Sequence, residues 1–131
     1  MDAVPVGLQV VATTEEGTRR ALAEATRLAN GSPARVLLLV PHVVSYFAAA
    51  GDSSEAVEIT DRYRALASDA GVNAFVRLCV CRRLDDVLRL MLGRRAPVVI
   101  GGRHRRWWPT AAERLARRLR RQGHDVVFAR L

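Results

Sequence analysis

The segment from Pro97 to Thr110, PVVIGGRHRRWWPT, holds the residues best suited to chemistry. An apolar, strand-like run (Val98–Ile100) leads into two glycines, then Arg103, His104, Arg105 and Arg106, then two tryptophans and a helix start at Pro109-Thr110. In an α/β sheet, a glycine-rich turn at the carboxyl end of a strand is where phosphate-bearing ligands sit. Glycine lets main-chain N–H groups approach phosphate oxygens, and the next helix contributes its positive end. Guanidinium groups add charge-assisted hydrogen bonds. The chemistry these residues suggest is anion capture, by Gly101, Gly102, Arg103, His104, Arg105, Arg106 and Thr110. Trp107 and Trp108 allow two readings: an indole stacking on a base or covering a ligand, or one packing over the sheet edge and the other into a subunit contact.

Catalytic patterns are missing elsewhere. There is no G-x-S-x-G elbow and no H-E-x-x-H pair. His42, His104 and His124 fall near strand ends, and Asp85-Asp86 sits in the first turn of an expected helix, where acids favour the dipole. All 21 basic residues apart from histidine are Arg, which excludes lysine Schiff-base and P-loop lysine chemistry. Cys79 and Cys81 lie two apart on an expected strand, facing the same side and poorly placed to bond to each other. With no second cysteine pair they cannot complete a tetrahedral zinc site, so buried reduced thiols and no metal are expected. The residues point to no catalytic group.

These side chains need a scaffold, and 131 residues, half of them hydrophobic, are enough for a single domain (1–131) with a real core. No apolar run approaches the roughly 20 residues of a membrane helix, and Met1–Gly7 lacks the pattern of a secretory signal, so a cytoplasmic protein without a membrane partner is expected. The net charge of +8 is uneven: residues 1–61 hold four Arg against eight acids, residues 62–131 seventeen Arg against five. The second half should present a positive surface that attracts anions. The Arg114, Arg117, Arg118 and Arg121 stripe could also meet nucleic-acid phosphates, but no nucleic-acid motif accompanies it.

The elements alternate. LQVVA (Leu8–Ala12) predicts a strand covered on both faces. Thr13 and Glu16 predict a capping box opening a helix to about Ala29, with Asn30-Gly31-Ser32-Pro33 ending it. ARVLLLVPHVV (Ala34–Val44) predicts the second strand, where Pro41 marks the end of pairing. A helix set up by Gly51-Asp52 runs to Ala70 and stops at Gly71; Val72–Val80 is the third strand. Leu84, Val87, Leu88, Met91 and Leu92 form a third helical stripe before Val98–Ile100. Thr110 and Glu113 then form the clearest capping box, opening a helix that Gly123 stops before the last strand, Asp125–Arg130. The fold class expected is α/β: a single five-stranded parallel sheet with two helices on each face.

With its opening block LQVVATTEEGTRRALAEATRLANGSPARVLLLVPHVV, its RRLDDVLRLMLGRRAPVVIGGRHRR block and its final HDVVFARL, the chain resembles the universal stress protein family. The resemblance implies an adenine-nucleotide alpha-hydrolase-like fold of strand order 3-2-1-4-5, a switch point between strands one and four, a stress-response role and often a dimer. In the ATP-binding branch an Asp closes the first strand, and the fourth is followed by a spaced glycine motif ending in Gly and Ser or Thr. Here Thr13 stands at the Asp position and His104 at the second glycine, while Arg114 and Leu115 take the final Gly-Ser/Thr positions. His104 blocks a close backbone approach to phosphate, and Thr13 removes a carboxylate contact.

The expected function is that of a small universal stress protein-like binding or regulatory module without catalysis or cofactor, its nucleotide site degenerate and at most a weak anion site. One alternative is an ATP-binding dimer using a shortened loop of Gly101, Gly102 and Thr110. The other is an Arg-rich nucleic-acid binder. A homodimer through the last strand is also expected: Val126, Val127 and Phe128 are consecutive apolar residues on what should be a sheet edge.

Overall fold

The computed structural model describes residues 6–29, 35–43, 53–83 and 96–131. Five strands form one parallel sheet: β1 (Val6–Val11), β2 (Arg35–Val43), β3 (Ala74–Cys81), β4 (Val98–Gly102) and β5 (Val126–Arg130), in the order β3-β2-β1-β4-β5. Three helices pack on it: α1 (Glu15–Ala29), α2 (Ser53–Asp69) and α3 (Ala111–Arg121). The turn at Asn30–Pro33, the Gly51-Asp52 start and the expected helix over Leu84–Leu92 with Asp85-Asp86 lie outside the described residues.

The central strands are apolar on both faces because both faces are covered. On one face Ala21, Leu22 and Ala25 of α1 and Leu66 and Ala67 of α2 close over Val10, Leu38 and Val99. On the other, Leu115, Ala116 and Leu119 of α3 close over Val11, Leu39, Val98 and Ile100. The expected pair of helices is thus present on the first face, and α3 is the described helix of the second. Cys79 and Cys81 form no disulfide and share that second face. Burial pushes the Cys79 thiol up.

Several strand ends differ from the sequence reading by one or two residues, and two departures bear on the site. Pro41 does not end β2, which pairs with β3 through Val43↔Cys81. The Ala12 N–H donates to the Leu39 carbonyl at 2.8 Å, and no β1 residue pairs beyond Leu39. By strand alternation Pro41 also faces the β1 side, so its missing N–H falls where that ladder has already stopped. Second, Thr14 rather than Thr13 caps α1: its hydroxyl accepts the Gly17 N–H at 3.0 Å, and its carbonyl the Thr18 N–H at 2.8 Å.

β1 and β4 pair only at Gln9↔Val98 and Val10↔Val99 before they part, which opens the sheet at its carboxyl end. Below the split, buried Gln9 joins them, its main-chain N–H donating to the Pro97 carbonyl at 2.9 Å and its side-chain amide to that of Ala96 at 3.1 Å.

Candidate functional site

Above the split lies a cleft of about 810 Å³. Its floor is the end of β1 and β4 at Thr13, Gly101 and Gly102; Pro41 and Val43 of β2 and Ala112 and Leu115 of α3 form apolar walls. Arg103, Thr110, Glu15 and Glu16 contribute polar groups, with the Arg103 guanidinium 3.9 Å from the Glu16 carboxylate. Of the residues singled out in the sequence, Thr13, Gly101, Gly102, Arg103 and Thr110 line this cleft, whereas His104, Arg105 and Arg106 do not.

The glycines do not form a loop after the strand. Both are buried residues of β4, which extends two residues past Ile100. A Cβ on Gly101 would overlap the carbonyl oxygen of Gly17 in α1, and one on Gly102 would stand 2.5 Å from the Ala112 Cβ of α3. Their lack of side chains serves the approach of a helix on each face. Gly17 itself escaped the sequence reading. A glycine inside a helix is unfavourable unless something comes close, and that was the available signal.

Thr13 seals the seam. Its hydroxyl donates to the Gly101 carbonyl at 2.8 Å, and its N–H donates to the Thr18 hydroxyl at 3.0 Å. The Thr110 hydroxyl donates to the Arg103 carbonyl at 2.9 Å. The Thr13 and Thr110 hydroxyl protons are therefore committed to main chain, while the third hydroxyl of the lining, that of Thr14, accepts the Gly17 N–H.

The decisive residue is Glu113. As expected, Thr110 caps α3: its hydroxyl accepts the Glu113 N–H at 3.2 Å, and a Glu113 carboxylate oxygen accepts the Thr110 N–H at 3.1 Å. The same oxygen also accepts the Arg105 N–H at 3.0 Å, and the other carboxylate oxygen meets His104 Nδ1 at 2.8 Å. Backbone donation from Thr110 and Arg105, then His104, holds this buried carboxyl down to about 2. A protein carboxylate thus occupies the Arg105 and Thr110 N–H groups and the His104 ring in the loop before α3. His104 stands at the position of the missing glycine and is the partner of this carboxylate.

The tip of the loop points elsewhere. Trp107 and Trp108 are 82% and 79% exposed and line no part of the cleft. Among the described residues no cluster of His, Cys, Asp and Glu could hold a metal ion, and no helix is long and apolar enough to cross a membrane.

No family model and no curated protein matches the chain. Among solved structures, a universal stress protein from Archaeoglobus fulgidus is 17% identical with a TM-score of 0.61, the match covering 92% of each chain. One solved in complex with cAMP is 19% identical with a TM-score of 0.59, over 95% of this chain and 97% of that one. Another, from Arabidopsis thaliana with AMP bound, is 15% identical with a TM-score of 0.54, over 94% and 91%. The chain has a universal stress protein-like fold, with the strand order that the resemblance implied.

Proposed function

We propose that this universal stress protein-like fold serves as a binding or regulatory module that performs no catalysis, and that Glu113 fills the anion-binding loop beside its nucleotide-type cleft. The observation that carries the reading is the carboxylate's hold on Arg105 N–H, Thr110 N–H and His104. A phosphate arriving there finds these donors used and a negative charge in place, which makes the site degenerate and any anion binding weak. The reading against catalysis draws on the cleft hydroxyls: those of Thr13 and Thr110 give their protons to carbonyls, and that of Thr14 is the α1 cap, so none is paired with a base. That two solved structures of this fold hold cAMP or AMP supports a small-molecule-binding role. The module works as a homodimer through β5, in the cytoplasm.

Thermal unfolding with ATP, AMP, cAMP and sulfate tests this. A ligand present at 100 times its Kd stabilises by about 2.7 kcal/mol, a rise on the order of 10 °C for a domain of this size. The expected result is a shift below about 1 °C with millimolar ATP or sulfate, the detection scale set by the same relation. Glu113→Ala, less stable itself, should gain a clear response to both. Nucleotide that co-purifies, or a shift of several degrees with ATP, establishes the ATP-binding alternative instead.

A further inference from the structure

The Arg–Trp tip between β4 and α3 has no part in the cleft, yet it is built and anchored. Glu113 holds the loop at the His104 ring and the Arg105 N–H, and the Thr110 hydroxyl ties the far side to Arg103. Between these anchors stand Arg105, Arg106, Trp107 and Trp108, all exposed, with the Arg106 guanidinium 5.7 Å from the Trp107 ring centroid. Two adjacent indoles about four-fifths in water are costly to keep unless something covers them.

We propose that this tip is a peripheral docking point for an anionic lipid surface, with the indoles seated at headgroup level and the guanidinium groups on the lipid phosphates. Charge complementarity carries the choice of occupant. Arg105 and Arg106 directly precede the indoles, Arg106 lying over the Trp107 ring, and the exposed Arg114, Arg117 and Arg121 of α3 add to the positive field. An amphipathic ring with a polar N–H is suited to the membrane–water boundary, and basic residues near an anionic surface each strengthen binding about fivefold. A second copy is a poor occupant: two like-charged tips repel, and two indoles offer far less than the roughly 800 Å² per partner of a stable interface. Nucleic acid is disfavoured because the indoles stand on a convex tip, not in a groove that tracks a strand.

The chain has two tryptophans and both are here, so tryptophan emission, excited where the two tyrosines do not absorb, reads the tip alone. Emission and co-sedimentation are to be measured with vesicles of phosphatidylcholine, vesicles of phosphatidylcholine mixed with phosphatidylglycerol, and a single-stranded DNA oligonucleotide. The expected result is a blue shift and sedimentation with the anionic vesicles, weakening as salt rises, and no blue shift with the other two. Trp107→Ala/Trp108→Ala should weaken the vesicle binding more than about tenfold, and Arg105→Ala/Arg106→Ala by about 25-fold. Far-UV circular dichroism and melting temperature should stay unchanged in both, as these side chains touch no core. Three results overturn the proposal: no blue shift with anionic vesicles, full binding by the double-tryptophan variant, or an equal response to the oligonucleotide.

Discussion

Glu113 is a single carboxylate with three duties: it completes the α3 capping box, closes the loop at Arg105 and receives His104. Its folded carboxyl lies at about 2, below the ordinary 4.5, so on acidification the unfolded chain takes up the proton first. The stability it contributes is complete above about 4.5 and is lost as pH falls toward 2. Urea midpoints compared between the protein and Glu113→Gln should differ most near neutrality and converge toward pH 2; a constant gap would show that the charge is not responsible. The capping role was legible in the sequence because Thr110 and Glu113 are three residues apart. The bonds to Arg105 and His104 were not, since they depend on how the loop folds back in space. Gly101 makes a second residue-scale prediction. Because a Cβ there would enter the Gly17 backbone, Gly101→Ala should cost at least the upper part of the usual ~1–3 kcal/mol for overpacking, read as a lowered urea midpoint.

Among the elements, α3 was the one most fully legible. Its cap, its buried Leu115, Ala116 and Leu119, its exposed arginines and the glycine after it all matched the periodic reading, and Gly123 has the positive φ of 92° that a helix stop needs. Thr110→Ala should remove about 1 kcal/mol, as loss of an N-cap usually does, and chemical denaturation will measure it. α1 was misread by one residue because Thr13 and Thr14 offer the same hydroxyl; only the contact with Gly101 decides which one caps and which one seals the seam. β4 was read two residues short. Glycine is a poor strand former, and its place in this strand comes from the two helices that press on it, a tertiary fact that no local pattern carries.

For the whole molecule, the proposed assembly rests on the outer side of β5. Val98 N–H donates to the Asp125 carbonyl and Leu131 N–H to that of Gly102, so residues 125, 127, 129 and 131 bond inward and Val126, Phe128 and Arg130 aim their main chain outward. Two of those outward carbonyls are already taken: Arg120 donates to Val126 and Arg20 to Arg130. The proposed dimer must displace or accommodate these guanidinium groups. Val127 and Phe128 pack against the two cores, so an arginine at Val127 would disturb the fold as well as the edge. Arg130→Pro is the cleaner probe, removing an outward N–H while leaving the inward ladder whole. Light scattering should give a dimer mass at micromolar concentration for the intact chain and a monomer mass for the variant; a monomer in both would refute the β5 interface.

The seam between β1 and β4 also governs when the molecule becomes complete. The Thr13–Gly101 bond spans 88 residues of chain and the Gln9–Ala96 bond 87, whereas β1, β2 and β3 are joined by consecutive crossovers. Closing such a distance is slow and its entropy must be spent before any contact repays it. On a ribosome the first three strands emerge and can pair while the partner of the β1 edge is still unsynthesised. Until β4 arrives, that edge is an open template beside a nascent chain. The cleft is therefore the last part of the protein to come into being, and the interval before it closes is when the chain is most exposed to wrong pairing.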